Sequence, residues 1–488
     1  MTNIFLSCLI NQPLILSPTL MAKSSMIKVL ENWKVSPPPN SAPSTTLPLT
    51  FFDIPWLFFS PSQPLFFYEY PHSTSHFLSF ALPNLKLSLS LALKHFFPFL
   101  GNLVLSSCDS KKPKILYNAG DYVSFTIQES SGDFSYFVSN HARDVHEFYP
   151  LVPDLAITSS EPVLIHLFAV KVTIFSQMGF CLGLAYQHVA ADGRTFNNFI
   201  KAWASLCANS SFLTDSFPSF DRSVIKDTDG LEEIFLKELW KRKSSHEVII
   251  GTAKTHVDLS NMVRETFLVS PSDMERIKKW IIGKCKKKNQ PIPIHLSPYV
   301  LTCSFIWVCL VKTQTQIVQG ENYHYSSEDP NYLGFIVGGL TRLDYPVPAT
   351  YFGNCVGFGR PMAIRGELMG KDGIVVAANV IGNMIRKLDK EFLYGAENWI
   401  SDWEVLFGSE VHLLISGSPK LDLYETDFGW GRPKKIEDIS IDSNRAISLI
   451  ESRDVKGGIE VGLALSRPQM EVFSSLFVGN LKMIFSEL

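Results

Sequence analysis

The sequence lacks several signals that would assign it to a common class of protein. Its 44 Lys and Arg against 47 Asp and Glu give a formal net charge of −3, so charge offers no case for binding nucleic acid or a membrane surface. No run reaches the ~18 uninterrupted apolar residues of a membrane span. The eight cysteines include no CxxC pair and no Cys/His cluster, which predicts reduced thiols in a cytoplasmic protein without a metal site.

The first 20 residues also lack any Lys or Arg, although they are apolar. A secretory signal begins with a basic segment, and Pro13 and Pro18 would interrupt a helix here. We therefore interpret residues 1–25 as a disordered extension ahead of the folded part.

What the sequence does contain is enough apolar surface for a large fold. Hydrophobic residues make up 46% and aromatic residues 12% of 488 positions, which argues against disorder. This length exceeds one ordinary core, so we expect two domains. The stretch from Asn209 to Ser223, with Pro218 and many Ser and Asp residues, is the best linker candidate.

Residue patterns predict a mixed α/β fold. Large and small residues alternate from Met178 to Gln187, which indicates a strand with one bulky and one closely approached face. An apolar stripe from Arg194 to Cys207 indicates a helix. Further helices are predicted at Pro83–Pro98, Leu231–Lys243, Ser270–Trp280 and Gly373–Leu388. Further strands are predicted at Met26–Glu31, at His256–Leu268 and in a hairpin around Gly457-Gly458. The Pro/Ser-rich stretch Pro37–Pro48 is predicted to be irregular.

The first candidate for chemistry is His188, which these patterns place at a strand end beside the turn through Asp192-Gly193. An imidazole titrates near pH ~6.5, so it can accept a proton from a hydroxyl at neutral pH. Asp192 could orient the ring or cap the following helix. Taken alone, the spacing favours a histidine that only stabilises the strand end.

The second candidate is the segment Asp427-Phe428-Gly429-Trp430-Gly431. Two glycines around a tryptophan predict a turn with an anchored aromatic ring, and Asp427 can accept hydrogen bonds from backbone amides. The segment lacks the order of a phosphate-binding glycine loop. Physical reasoning alone therefore makes it structural.

The two motifs together, about 235 residues apart, resemble the plant BAHD family of CoA-dependent acyltransferases. The resemblance covers roughly Met26 to Leu488 and includes Phe97–Leu103. Three further stretches resemble the members that acylate flavonoid and phenolic glycosides, many of them with malonyl-CoA: Phe220–Ile225, Tyr351–Cys355 and Ser416–Leu421.

The resemblance implies two similar α/β domains of the chloramphenicol acetyltransferase type, with a channel at their interface. It places an N-terminal domain at 26–207, a crossover linker at 208–245 and a C-terminal domain at 246–488. His188 would be the general base, and the acceptor hydroxyl would attack the thioester directly without an acyl-enzyme. Supporting roles would fall to Asp192, Gly193, Asp427, Gly429, Trp430 and Gly431.

One departure from the family pattern concerns the partner of Asp192. The family usually has Asp-x-Arg-x-Arg ahead of the Tyr351–Cys355 stretch, and Leu340 stands here in place of the first arginine. If this segment is a strand, Arg342 faces the same side two residues on and could substitute. Without a partner for Asp192 the turn would be weakened.

The donor is expected to be an acyl-CoA, most simply malonyl-CoA, used as a co-substrate without any permanently bound cofactor. Arg194 could bind the malonyl carboxylate or face solvent. Ser418 lies where hydroxycinnamoyl-transferring relatives tend to carry tryptophan, which favours a small aliphatic acyl group. Two basic clusters could bind the CoA phosphates or be solvated surfaces: Lys284 with Lys286, Lys287 and Lys288, and Lys434 with Lys435.

Two alternatives stay open. One is hydroxycinnamoyl transfer to the same kind of acceptor, and the other is a catalytically weakened relative that acts as a binding protein. A Ser-His-Asp hydrolase is not supported, because no G-x-S-x-G elbow precedes a helix. We further expect a monomer with small-molecule partners only.

Overall fold

The computed structural model describes residues 27–106, 111–158, 161–209, 217–244, 259–318, 325–409 and 411–488. The predicted extension at 1–25 and parts of the predicted linker lie outside these ranges. The strands of the described part, in chain order β1 to β18, are Ile27–Val35, Thr45–Pro48, Pro64–Glu69, Asn102–Leu105, Lys114–Tyr117, Val123–Ser130, Arg143–Asp144, Val163–His166, Phe168–Phe175, Gly179–Tyr186, Met262–Val269, Pro330–Gly338, Val356–Gly359, Met362–Ile364, Leu413–Ser416, Lys435–Asp438, Ala446–Glu451 and Ile459–Ser466.

The α-helices of the same residues pack on these strands. In chain order α1 to α12 they are Thr74–His76, Leu82–His95, Phe134–Val138, Gly193–Cys207, Leu231–Ser244, Pro271–Lys287, Pro298–Val318, Arg365–Met369, Gly373–Lys390, Trp399–Phe407, Ile441–Asn444 and Arg467–Ser486. Their ends follow local chemistry. Helix α6, for example, starts with Pro271 after a capping box in which Ser270 and Asp273 bond each other's backbone amides.

Three sheets organise the described chain. A six-stranded sheet has the order β1-β6-β9-β10-β3-β16, with β6 and β9 parallel and the other pairs antiparallel. An eight-stranded sheet runs β13-β12-β15-β17-β18-β11-β7, with β14 beside β12. A four-stranded sheet has the order β2-β5-β4-β8. One core lies around the six-stranded sheet with α2 and α4, and another lies between the eight-stranded sheet and α6, α7, α9 and α12.

Most predicted elements are present. The helices expected at Pro83–Pro98, Leu231–Lys243, Ser270–Trp280 and Gly373–Leu388 correspond to α2, α5, α6 and α9. Strands β17 and β18 pair antiparallel on either side of Gly457-Gly458, as predicted. The prediction that Pro37–Pro48 is irregular is wrong at the C-terminal end of this stretch, where Thr45–Pro48 forms β2. This strand lies at a sheet edge, where proline is tolerated.

The two halves of the chain each contribute a strand to the other's sheet. Strand β16 pairs with β3 in the six-stranded sheet, and β7 pairs with β11 in the eight-stranded sheet. Where they meet, Arg143 Nη2 lies 2.6 Å from Glu437 Oε1 and Arg264 Nε lies 3.1 Å from Glu437 Oε2. Arg264 also pairs with Asp442 at 3.2 Å. All four side chains are buried.

The two arginines act most strongly on the carboxylate that they share, whereas burial raises the pKa of Asp442 to about 7. Burial alone would raise the pKa of Glu437, but Arg143 and Arg264 outweigh it and lower the pKa to about 2. Glu437 is therefore ionised at neutral pH, and its stabilising effect is lost as the pH falls from the unfolded value toward 2. The network fixes the two sheets to each other through side chains from both halves.

Helix α7 meets the length and hydropathy of a membrane-crossing helix over Pro298–Ile317, and it is the only helix in the described ranges that does. In the fold, however, 72% of that window is buried. Residues such as Phe305, Trp307 and Val308 pack in the second core. Its apolar character is therefore explained by packing inside the protein.

Replacing Glu437 with Gln should lower the free energy of unfolding by about 3–5 kcal/mol, because two buried guanidinium groups lose their shared carboxylate. Urea unfolding at neutral pH measures the effect. The matched control is Glu233→Gln, which removes an exposed pair with Lys237 and should leave the urea midpoint unchanged. An equal response in both variants would contradict a special role for the buried network.

Candidate active site

The candidate site is built at the end of β10. All eight residues of Gly179–Tyr186 are buried, and the predicted closely approached face is present. A Cβ atom at Gly183 would lie 2.0 Å from the Leu151 carbonyl oxygen. The chain then forms a 3₁₀ turn, His188–Ala190, before α4 begins at Gly193. His188 thus lies at a strand end held rigidly by its neighbours.

His188 lies flat against the indole ring of Trp56. The two ring centroids are 3.6 Å apart, and the rings are inclined by 15°. Its Nδ1 is buried, and the residue as a whole is half-buried. Burial lowers the pKa of His188 to about 4, although Asp192 partly offsets it. The ring is therefore neutral at pH 7 and able to accept a proton.

Asp192 braces the turn behind this histidine. Its Oδ1 accepts a hydrogen bond from the Thr195 amide at 2.8 Å and caps α4, and its Oδ2 accepts one from the Cys355 amide at 3.1 Å. The side chain is buried. It therefore joins the His188 turn to the Tyr351–Cys355 stretch.

The arginine beside Asp192 is Arg194. Its Nη2 lies 3.6 Å from Asp192 Oδ2, and its guanidinium donates to the carbonyls of Ala349 and Tyr351 at 2.7 and 2.9 Å. The alternative in which Arg194 binds a malonyl carboxylate is therefore not the arrangement found. The guanidinium is engaged with the protein's own acceptors.

The expectation that Arg342 would substitute as the partner of Asp192 is wrong. Strand β12 ends at Gly338, and the Arg342 amide donates to the Gly339 carbonyl in the turn that follows. The alternation of faces along a strand therefore does not extend to this residue. Arg342 instead forms an ion pair of 2.7 Å with Asp389.

A second buried carboxylate, Asp53, was not identified from the sequence. It accepts from the Thr50 amide at 2.8 Å, and its Oδ1 accepts from Asn354 Nδ2 at 2.9 Å. The same Asn354 Nδ2 donates to the His188 carbonyl at 3.0 Å. The Asp53 side chain thus reaches the His188 turn through one amide, and a lone Asp in an aromatic run offers no sequence signal for this role.

The stretches Phe220–Ile225 and Tyr351–Cys355, which carried part of the resemblance, meet at Asp53. Arg222 Nη1 lies 3.4 Å from Asp53 Oδ2 and donates to the Tyr351 hydroxyl at 2.7 Å. Gly353 has a φ of 141°, and a Cβ there would lie 2.3 Å from Arg222 Nη1. Glycine is required at this position by both backbone conformation and space.

The Asp427–Gly431 segment is a turn, as predicted. Asp427 Oδ1 accepts from the amides of Gly429 and Gly431 at 2.7 and 2.9 Å, and both glycines have positive φ. Phe428 is buried edge-on against Trp203 of α4, and Trp430 packs edge-on against Phe180 of β10. The loop therefore supports the two elements that flank His188.

The loop containing Ser418 also contacts α4. The Leu421 carbonyl accepts from Asn197 Nδ2 at 2.7 Å and from Lys201 Nζ at 3.1 Å. A Cβ at Gly193 would lie 3.2 Å from Leu421 Cδ1. Ser418 itself is half-buried, and its hydroxyl accepts from the Lys420 amide. Gly193 therefore allows this loop to approach the start of the helix.

The lysine clusters are largely engaged in ion pairs. Lys284 pairs with Glu487 and Lys288 with Asp372, while Lys434 lies 3.1 Å from Glu69. Lys435 is buried beside Asn140 and Glu460, so the hypothesis that it binds phosphate is wrong. In the described part of the chain no group of three or more His, Cys, Asp or Glu side chains could hold a metal ion.

Comparison with known sequences identifies relatives over nearly the whole chain. Residues 26–478 match the Transferase family. A malonyl-coenzyme:anthocyanin 5-O-glucoside-6'''-O-malonyltransferase from Salvia splendens is 39% identical over 468 residues, covering 93% of this chain and 95% of that protein. A coumaroyl-CoA:anthocyanidin 3-O-glucoside-6''-O-coumaroyltransferase from Arabidopsis thaliana is 35% identical, with coverages of 93% and 97%.

Solved structures share the fold at lower identity. Vinorine synthase aligns with a TM-score of 0.62 at 18% identity, covering 91% of this chain and 96% of that one. F. graminearum TRI101, complexed with coenzyme A and deoxynivalenol, aligns with a TM-score of 0.62 at 13% identity, with coverages of 88% and 96%. The expected fold class is confirmed by these structures.

Arg194 and Arg342 offer a matched pair for testing the structure of the site. Both side chains are similarly exposed, at 24% and 25%, and each forms one ion pair. Arg194→Ala should lower the free energy of unfolding by about 1–3 kcal/mol, because buried Asp192 and two carbonyls lose a donor. Arg342→Ala should leave the urea midpoint nearly unchanged. The reverse order of midpoints would restore Arg342 as the supporting arginine.

Proposed function

The chain belongs to the BAHD family of CoA-dependent acyltransferases, and we propose that it transfers a malonyl group from malonyl-CoA to a sugar hydroxyl of a phenolic or flavonoid glycoside. The observation that carries the proposal is His188, a neutral imidazole on a fixed turn that stacks on the indole of Trp56. The acyl-CoA is a co-substrate. We also propose that the enzyme acts as a monomer in the cytoplasm.

The proposed reaction needs one base and no covalent intermediate. His188 Nε2 takes the proton of the acceptor hydroxyl as that oxygen bonds to the thioester carbonyl carbon. The tetrahedral intermediate then loses the CoA sulfur, and the imidazolium returns the proton to give the free thiol of CoA. Cys355 lies behind the turn, where burial raises the pKa of its thiol to about 12, which makes it unsuited to act as a nucleophile.

The residues around His188 would keep its ring in place during this reaction. Asp192 bonds backbone amides, and Asn354 holds the carbonyl of His188 itself. Neither carboxylate of the network, Asp53 or Asp192, is hydrogen-bonded to the imidazole in the described contacts. Both therefore act as supports of the turn, and His188 is the one residue that we assign to proton transfer.

The choice of malonyl-CoA is supported by relatives and by Ser418, which stands where hydroxycinnamoyl-transferring relatives tend to carry tryptophan. Two malonyltransferases acting on anthocyanin glucosides, from Salvia splendens and Dahlia pinnata, are 39% and 35% identical to this chain. Because Arg194 is engaged with Asp192, Ala349 and Tyr351, we do not assign it to the malonyl carboxylate. Coumaroyl transfer is the second candidate, since an Arabidopsis coumaroyltransferase is also 35% identical.

The acid limb of the activity profile tests the state of His188. Because burial lowers the pKa of His188 to about 4, its neutral, proton-accepting form should persist as the pH falls through 6.5. We expect kcat/KM to show no inflection from His188 between pH 7.5 and roughly 5.5. His188→Gln should lower kcat by about 100-fold or more throughout this range. An inflection near pH 6.5 would contradict the lowered pKa of His188, and an active His188→Gln enzyme would contradict its role as the base.

A donor panel tests the transferred group. The full-length enzyme is assayed with a flavonoid glucoside and malonyl-, acetyl- or coumaroyl-CoA, and release of free thiol is followed by absorbance. We expect malonyl-CoA to give the highest kcat/KM. A preference for coumaroyl-CoA would select the second candidate. Absence of thiol release above the His188→Gln control with every donor would favour a binding protein.

A further inference from the structure

The stacked indole of Trp56 has a role that the hydrogen-bond network does not supply. Trp56 lies in a 3₁₀ helix, Ile54–Phe58, that begins with Pro55. Its face covers the imidazole of His188 with ring centroids 3.6 Å apart and nearly parallel planes. The indole is buried, with only 7% of the residue exposed.

This contact is fixed from both sides. Asp53 precedes the 3₁₀ helix and accepts a hydrogen bond from Asn354 Nδ2, which also donates to the His188 carbonyl. On the indole's other sides, Trp403 and Phe59 pack with centroid distances of 5.3 and 4.9 Å. The side-chain amide of Asn354 thus connects His188 with Asp53, the residue that precedes the helix of Trp56. The stacking of the two rings therefore does not depend on a flexible segment.

The charge of His188 changes during the proposed reaction, which gives this stacking a chemical consequence. The imidazole begins neutral and becomes a cation when it accepts the hydroxyl proton. Burial makes that cation costly, as the lowered pKa of His188 shows. The face of an indole carries a negative quadrupole, and a cation placed over it in a desolvated site is stabilised more than a neutral ring is.

We propose that Trp56 is a positioning residue that holds His188 by stacking and stabilises its imidazolium form by a cation–π interaction as the proton is transferred. This inference rests on the proposed function of His188 as the base. Because the contact is stronger for the charged ring than for the neutral one, it lowers the barrier of the chemical step and not merely the energy of binding.

Other groups near the imidazole act from different directions. Asp192 and Asp53 raise the pKa of His188 through their negative charges. These carboxylates lie on the turn and ahead of the 3₁₀ helix, whereas Trp56 covers the ring face. Other titratable or charged groups of the surrounding elements include Tyr186, Arg194, Arg222 and Cys355, together with Asp402 and Glu404 on the helix of Trp403.

The test changes the quadrupole of the indole while keeping its shape. Trp56 is replaced site-specifically in the full-length enzyme by mono-, di- and trifluorinated tryptophan, and steady-state kinetics are measured at pH 7.5. We expect log kcat to fall stepwise with each fluorine, by about tenfold in total, with KM for acyl-CoA unchanged. Trp56→Leu should lose about 30-fold in kcat, and Trp56→Phe should recover part of it.

The matched control is the same fluorinated series at Trp399. This buried indole stacks with Phe52 and Phe235 and not with His188, so kcat should show no trend. A flat series at Trp56, or equal slopes at both positions, would overturn the cation–π role even if Trp56→Leu is impaired. If His188→Gln is inactive while the Trp56 series is flat, the proposed function stands and only this inference fails.

Discussion

The structure of the site depends on one arrangement of buried hydrogen bonds beneath a single turn. Asp192 binds the amide of Cys355, and Asn354 binds both Asp53 and the carbonyl of His188. Burying a carboxylate is costly unless its oxygens are paired. Conformations that break these contacts are therefore strongly disfavoured. Through them, segments near residues 53, 190, 222 and 353 converge on the histidine, and none of these segments could position the ring by itself.

Pairing of a buried carboxylate with donors also joins the two halves of the chain. Strands β7 and β16 cross into the opposite sheets, and Glu437 pairs with arginines from β7 and β11. The Asp427–Gly431 loop precedes β16 and packs on Trp203 and Phe180. A distant motif of the sequence therefore stabilises the elements around His188.

Comparison of two arginines shows where pattern reasoning has a limit. Arg342 was expected to face Asp192 because it follows Leu340 by two residues, but β12 ends at Gly338 and the segment turns. Arg194 was considered for substrate binding and instead pairs with Asp192. Lys435, taken as one of a basic surface cluster, is buried in β16. The error at Arg342 arose because sequence spacing predicts local geometry only while the secondary structure continues, whereas the burial of Lys435 depends on how β16 packs between the sheets.

The sequence by itself determined the strand before His188, the helix after it, the Asp427–Gly431 turn and the family. The strand, the helix and the turn follow from residue size, apolar periodicity and glycine conformation, which act over a few neighbouring positions, whereas the family was indicated by the resemblance of its motifs. Only the tertiary structure decided which arginine pairs with Asp192, that Asp53 and Asn354 hold the turn, and that Trp56 covers the imidazole. Apart from the local pair of Arg194 with Asp192, those contacts join residues more than 100 positions apart, as between Trp56 and His188, and their formation depends on how the sheets pack.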